Sequence, residues 1–205
     1  MRRESPKDVV VNNRCRVTDP DQSPVAADFT TPEYATYSST VTKKWESNRG
    51  LDPFSYGYNQ ATADSEYMSA KQIVDTLADV VSKNGNLLLN IGPAADGSIP
   101  PIMQQRLREI GGWLATNGEA IFDTTYWWRT PEEGSLRFTV KPGEAFFIIA
   151  LAWPGDQLIV NSPVPIKSGQ IVTLLGYQGA PLAWRRFLCS CSKASNRSSP
   201  ASLPR

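Results

Sequence analysis

Ser69 to Pro101, SAKQIVDTLADVVSKNGNLLLNIGPAADGSIPP, changes its hydrophobic period twice. Between Lys71 and Val81 the apolar residues Ile73, Val74, Leu77, Val80 and Val81 recur at helical spacing, which predicts an amphipathic helix. Ser69 and Gln72 stand at the spacing of a capping box ahead of it. Asn84-Gly85 supplies a stop, with glycine expected in the left-handed conformation. Asn86-Leu87-Leu88-Leu89-Asn90-Ile91 is apolar, too short for a helix, and closed by Gly92-Pro93. Such a run without alternation predicts a strand buried on both faces, as in a parallel sheet. Asp96-Gly97 signals a turn, and Pro100-Pro101 pre-sets the first turn of another helix. Helix, parallel strand and helix in succession form the unit of an α/β barrel or a doubly wound sheet.

The same stretch carries a family resemblance. Asp79 through Pro93, with Asp96-Gly97 and Ile99-Pro100, resembles the last barrel segment of the retaining α-L-fucosidases. The likeness continues through Gln105-Arg106-Leu107, Ile110-Gly111 and Trp113-Leu114 to Asn117-Gly118-Glu119-Ala120-Ile121. It implies an α/β fold in which residues 1–122 are the C-terminal part of a catalytic (β/α)8-like barrel.

Beyond Phe122 the pattern changes. Tyr126-Trp127-Trp128, Ser135 to Val140, Ala145 to Trp153, Leu158-Ile159-Val160 and Ile171 to Leu175 are β-rich runs. They are separated by turns at Pro142-Gly143, Pro154-Gly155 and Ser168-Gly169, which predicts antiparallel strands. The resemblance implies part of a C-terminal β-sandwich over residues 123–187. Residues 188–205 are Ser-rich, basic and aperiodic, the composition of a disordered tail.

Toward the N-terminus, Lys7 to Arg14 reads as a short apolar strand ending in polar groups, and Arg16 to Ala27 as a loop. Asp28 to Tyr34 follows, with Pro32 holding Thr31 extended. Lys44-Trp45-Glu46-Ser47 is a second candidate strand, and Ser55-Tyr56-Gly57-Tyr58-Asn59 an aromatic loop.

Composition excludes several classes. The chain has 205 residues, 40% hydrophobic and 20% charged, with a net charge of +1. That balance offers no electrostatic case for nucleic acid or an anionic membrane. The charged segment Met1 to Asp8 lacks the apolar core of a signal peptide, and compartment is not legible. Cys15, Cys189 and Cys191 are an odd, sparse set and form no disulfide framework. With no His, the chain is expected to hold no metal and no cofactor, and it contains no Ser-His-Asp triad. It also lacks a Gly-x-Ser-x-Gly elbow and a P-loop ending.

Glycoside hydrolysis with retention needs two carboxyl groups about 5–5.5 Å apart across one sugar. One attacks the anomeric carbon; the other protonates the leaving oxygen and then activates water. Twenty acidic residues do not single out a pair. The resemblance does: Thr31-Pro32-Glu33-Tyr34 resembles the loop carrying the acid/base, which implies that role for Glu33, with Glu46 of Lys44-Trp45-Glu46 as the alternative. Arg14, in Asn12-Asn13-Arg14, is similar to an arginine that reaches the sugar, although Cys15-Arg16 stands where the family has Trp-Gly. Its guanidinium can offer paired hydrogen bonds to sugar oxygens and to the nucleophilic carboxylate. Tyr56 matches an aromatic that covers the apolar side of fucose near its methyl group. Trp113, Trp127 and Trp128 read as packing residues.

In the family the nucleophile is an Asp upstream of the arginine segment, so it is expected to be absent from this chain, which then resembles an N-terminally truncated α-L-fucosidase. The implied partner is a fucosylated oligosaccharide or glycoconjugate, with no nucleic acid and no membrane. The alternative is a non-catalytic carbohydrate-binding or remnant fragment.

Overall fold

A computed structural model describes residues 9–12, 14 and 27–186. The expected N-terminal segment through Asp8, most of the loop from Arg16, the three cysteines and the expected disordered tail lie outside the described residues. The chain divides into two compact units, Met1–Lys167 and Ser168–Arg205.

The first unit is mixed α/β. Its elements are β1 (Trp45–Gly50), α1 (Ala70–Ser82), β2 (Gly85–Asn90), α2 (Pro101–Asn117), a 3-10 turn (Gly118–Ala120), β3 (Thr125–Tyr126), β4 (Glu132–Glu133), β5 (Leu136–Lys141) and β6 (Ala145–Ala150). β1 and β2 pair in parallel from Trp45↔Gly85 to Gly50↔Asn90. Isolated parallel bridges extend the ladder on the far side of β1, through Thr30↔Trp45, Glu33↔Asn48 and Asn12↔Phe29. The strand expected at Lys7–Arg14 is represented among the described residues only by the bridge at Asn12.

The helix forms where its period placed it. Both halves of the capping box are made: the Gln72 amide donates to Ser69 Oγ at 3.2 Å, and the Ser69 amide to Gln72 Oε1 at 2.8 Å. The stop works differently from the expectation. Asn84, not Gly85, takes the left-handed conformation at φ 71°. Its side-chain amide donates to the Val41 and Thr42 carbonyls at 2.8 and 3.2 Å, which ties the helix end to the approach of β1. Gly85 is needed for proximity: a Cβ there would lie 2.6 Å from Trp45 Cε2 and 2.7 Å from Val80 Cγ1.

Alternation along the parallel strands separates two faces. Trp45 and Ser47 are buried on one, the side on which Leu89 packs against the core of Leu51, Tyr67, Met68, Ile73, Met103 and Ile110. Glu46, Asn48, Asn86, Leu88 and Asn90 lie on the other. Leu88 is 46% exposed and Asn86 is exposed, so β2 is covered on one face, not two.

The antiparallel sheet has the order β3-β5-β4, with β6 also paired to β5 from Leu136↔Ala150 to Lys141↔Ala145. Phe138 and Thr139 are fully buried, and Thr139 Oγ1 donates to the Ala120 carbonyl at 2.7 Å. The expected turns at Gly143 and Gly155 form, and both glycines take positive φ. Leu158–Val160 is not a strand. The adjacent Asn161 and Ser162 amides instead donate to the Glu133 carboxylate. The sheet is joined to α1 by ion pairs from Arg137 and Glu132 to Asp79 and Lys83. Trp127 packs edge-on against Phe146, and Trp128 lies tilted against Trp127 with centroids 5.7 Å apart, although it is 66% exposed, with the Arg129 guanidinium over its ring.

In the second unit, residues 168–186 are described, and Ile171–Leu175 forms a single antiparallel bridge, Val172↔Leu182, in place of the expected strand.

Candidate active site

The parallel segments end on the same side, and side chains just past such ends are where α/β folds assemble sites. Glu33 reaches this level through its bridge to Asn48. The Asn48 amide donates to the Pro32 carbonyl at 3.1 Å, and the Tyr34 amide returns a bond to the Asn48 carbonyl at 2.8 Å. Register partners in a parallel ladder share a face, so Glu33 and Asn48 both project toward the open side. Tyr34 follows at φ 49°, a conformation uncommon for a bulky side chain.

Arg14 meets Glu33 there. Its NH2 group forms an ion pair with Glu33 Oε1, and its NH1 group donates to the Thr31 carbonyl at 3.4 Å. The Glu33 side chain is 53% exposed, so solvent or a ligand can reach it.

Tyr56 enters from the loop after β1. Its hydroxyl donates to the Asn48 carbonyl at 2.7 Å, and its ring lies tilted against Tyr34 with centroids 5.0 Å apart. The phenol is held above its ordinary value by burial first, then by the Glu33 carboxylate, with Arg14 and Arg49 acting in the opposite sense. Glu33, Arg14 and Tyr56 are therefore one electrostatic neighbourhood. Arg49 adds a cation 5.7 Å from the Tyr34 ring centroid.

Glu46 stands apart from this group. It lies two residues before Asn48 on β1, about 6–7 Å back along the strand, and its Oε2 accepts from the side-chain amide of its register partner Asn86 at 2.7 Å.

Sequence reading missed three residues that shape the group. Asn48 supplies the carbonyl shared by both tyrosines, Asn90 binds the Tyr56 backbone, and Asp52 closes the loop between them. Asn90 had a signal, as the polar end of an apolar strand before Gly92-Pro93; the other two had none. Among the described residues no three His, Cys, Asp or Glu side chains are grouped as metal ligands. A carboxyl group, a forked cation and an aromatic face around one exposed point can bind a polyol, and the carboxyl can exchange a proton with it.

The profile of the family described as Alpha-L-fucosidase matches residues 1–119. The chain belongs to the alpha-L-fucosidase family. It is 40% identical to human plasma alpha-L-fucosidase over 146 residues, covering 69% of this chain and 31% of that protein. It is 41% identical to human tissue alpha-L-fucosidase over 144 residues, again 69% of this chain and 30% of the relative. Among solved structures, the alpha-fucosidase of Thermotoga maritima in complex with fucose aligns at 34% identity with a TM-score of 0.65, covering 87% of this chain and 39% of that one. Another structure of the T. maritima enzyme aligns at 41% identity and TM-score 0.58 over 71% of this chain. The chain thus spans about 30% of the length of the curated family members it matches.

Proposed function

We propose that this chain carries the acid/base half of a retaining α-L-fucosidase site, acting on terminal α-L-fucosyl residues of an oligosaccharide or glycoconjugate. In this reading residues 1–122 form the C-terminal part of a (β/α)8-like barrel and residues 123–187 part of a β-sandwich. The observation that carries it is the convergence of Glu33, Arg14 and Tyr56 at the ends of the parallel segments, in a chain of this family. Fucose is a 6-deoxy sugar, so it presents a methyl group that an aromatic ring can cover while its hydroxyls take charged partners. Tyr56 supplies the ring and Arg14 the paired donors.

Glu33 protonates the glycosidic oxygen as a carboxylate from outside this chain attacks the anomeric carbon. Glu33 then takes a proton from the water that releases fucose, which restores the starting protonation and the anomeric configuration. A carboxylate paired with a guanidinium is an acceptor, so Arg14 must leave Glu33 before Glu33 can act as an acid. An incoming nucleophilic carboxylate gives Arg14 somewhere to go. Glu46, bonded to Asn86 away from this group, is the weaker claimant to the acid role.

A second reading, a carbohydrate-binding fragment without turnover, is favoured by the open face around Leu88. Release of the chromophore from an aryl α-L-fucoside by the purified chain mixed with a complementing polypeptide that supplies the nucleophilic carboxylate, beside Glu33→Gln, separates the two. Turnover lost in the variant supports the enzyme reading with Glu33 as acid/base. Binding of L-fucose without turnover supports the second reading.

A further inference from the structure

The aromatic loop after β1 needs something to hold it, because Ser55 to Asn59 has no regular secondary structure. Four contacts fix it. Asp52 is 1% exposed and joins the two ends of the loop: its Oδ1 accepts from the Phe54 amide at 2.8 Å and its Oδ2 from the Thr62 hydroxyl at 2.7 Å. Gly92, just past β2, lies directly beneath the loop, where a Cβ would come within 2.6 Å of the Tyr58 nitrogen. The Tyr56 hydroxyl is bound to the Asn48 carbonyl. The fourth contact is made by Asn90, the last residue of β2, whose side-chain amide donates to the Tyr56 carbonyl at 2.6 Å. The Asn90 carbonyl also accepts from the Leu51 amide at 3.0 Å, so one residue holds both the start of the loop and its functional tyrosine.

We propose that Asn90 is a positioning residue for Tyr56, holding its backbone so that the ring stands beside Glu33 at the end of the parallel ladder. The proposal rests on the reading of Tyr56 as the cover for the apolar side of the sugar. The chemistry of the contact selects the residue type. Tyr56 presents a carbonyl, so its partner must donate. Asp at this place would set acceptor against acceptor, and Leu, of similar size, has nothing to donate. The hydroxyl bond and the ring contact with Tyr34 both act at the far end of the side chain. Among the described residues, Asn90 alone holds the Tyr56 backbone by a side chain. Without it the ring keeps its partners in only part of the loop's conformations.

The test uses the full 205-residue chain, with Asn90→Ala, Tyr56→Ala, the double variant, and Asn90→Ser in case Asn90→Ala does not fold. Serine is too short to reach the Tyr56 carbonyl. Two readouts are taken: titration of the Tyr56 ring by NMR with labelled tyrosine, and binding of L-fucose by saturation transfer. Release of the loop moves the Tyr56 phenol down toward its ordinary value, since burial and the Glu33 charge now hold it up. Losing one such hydrogen bond weakens L-fucose by about five- to tenfold, and the double variant binds no more weakly than Tyr56→Ala. An unmoved Tyr56 titration in a folded Asn90 variant overturns the proposal, as does a double variant whose loss equals the product of the two single losses. If the parent chain binds no L-fucose, the sugar reading fails, and the Tyr56 titration alone decides for or against Asn90.

Discussion

The Asn48 carbonyl accepts two hydrogen bonds, from the Tyr56 hydroxyl at 2.7 Å and from the Tyr34 amide at 2.8 Å. One backbone oxygen, on the register partner of Glu33, thereby joins the aromatic pair to the carboxylate segment. In Tyr56→Phe the ring stays and one donor is lost, while the carbonyl keeps its bond from Tyr34. The expected loss of stability is about 1 kcal/mol, read as a lower urea midpoint at unchanged slope. A loss several times larger means that the hydroxyl, not the ring, holds the loop.

Asp79, Lys83, Glu132 and Arg137 form a square of two acids and two bases between α1 and the antiparallel sheet. Asp79 Oδ1 accepts from Lys83 Nζ at 2.7 Å and Arg137 Nε at 2.6 Å, and Glu132 Oε2 lies 3.0 and 3.2 Å from the same two cations. The Lys83 side chain is only 4% exposed. Asp79→Asn leaves two cations facing one carboxylate out of water, with an expected cost of about 3 kcal/mol. Pairing it with Arg137→Ala checks the origin of that cost: the double variant should lose clearly less than the sum of the singles.

Glu133 makes stability depend on acid. Burial pushes its carboxyl up, but the hydrogen bonds from Ser162 and Asn161 outweigh that and hold it down to about 2, against an ordinary value of 4.5. A carboxyl lowered on folding stabilises the native state fully above its unfolded value, and that contribution fades as pH falls toward the folded one. Its share of stability is therefore present above 4.5 and lost between there and about 2. Thermal melts of the parent and of Glu133→Gln across this window should converge as pH falls, and parallel curves would contradict this account.

Leu88 tests the open face directly. A fully buried leucine replaced by a polar residue costs several kcal/mol, but Leu88 is 46% exposed. Leu88→Asn should change the stability of this chain by no more than about 0.5 kcal/mol. A cooperative loss of several kcal/mol would show that the face is covered in solution, by a second copy or another polypeptide, and a concentration-dependent melt would identify the former.

Much of the local structure was legible because its causes are local. The spacing of Ile73, Val74, Leu77 and Val80 located α1, and the Ser69–Gln72 box marked its start, since both depend on residues within one or two turns. Lys44 to Ser47 announced β1 in the same way. The residues of the candidate site were individually nameable through resemblance, but not their arrangement. Arg14 and Glu33 are 19 positions apart, and only the parallel bridges align their segments.

By itself, the sequence determined where α1, α2, β1, β2, β5 and β6 lie and the family to which the chain belongs, because periodicity, caps and motif order are properties of neighbouring residues. Tertiary structure decided the rest. Gly85 answers to Trp45 across the ladder and Asn84 turns the chain in its place. Glu46 takes Asn86 as its partner, while Glu33 takes Arg14. The apolar run of β2 is covered on one face only. Burial and pairing depend on which distant segments arrive beside a residue, and no local pattern contains that information.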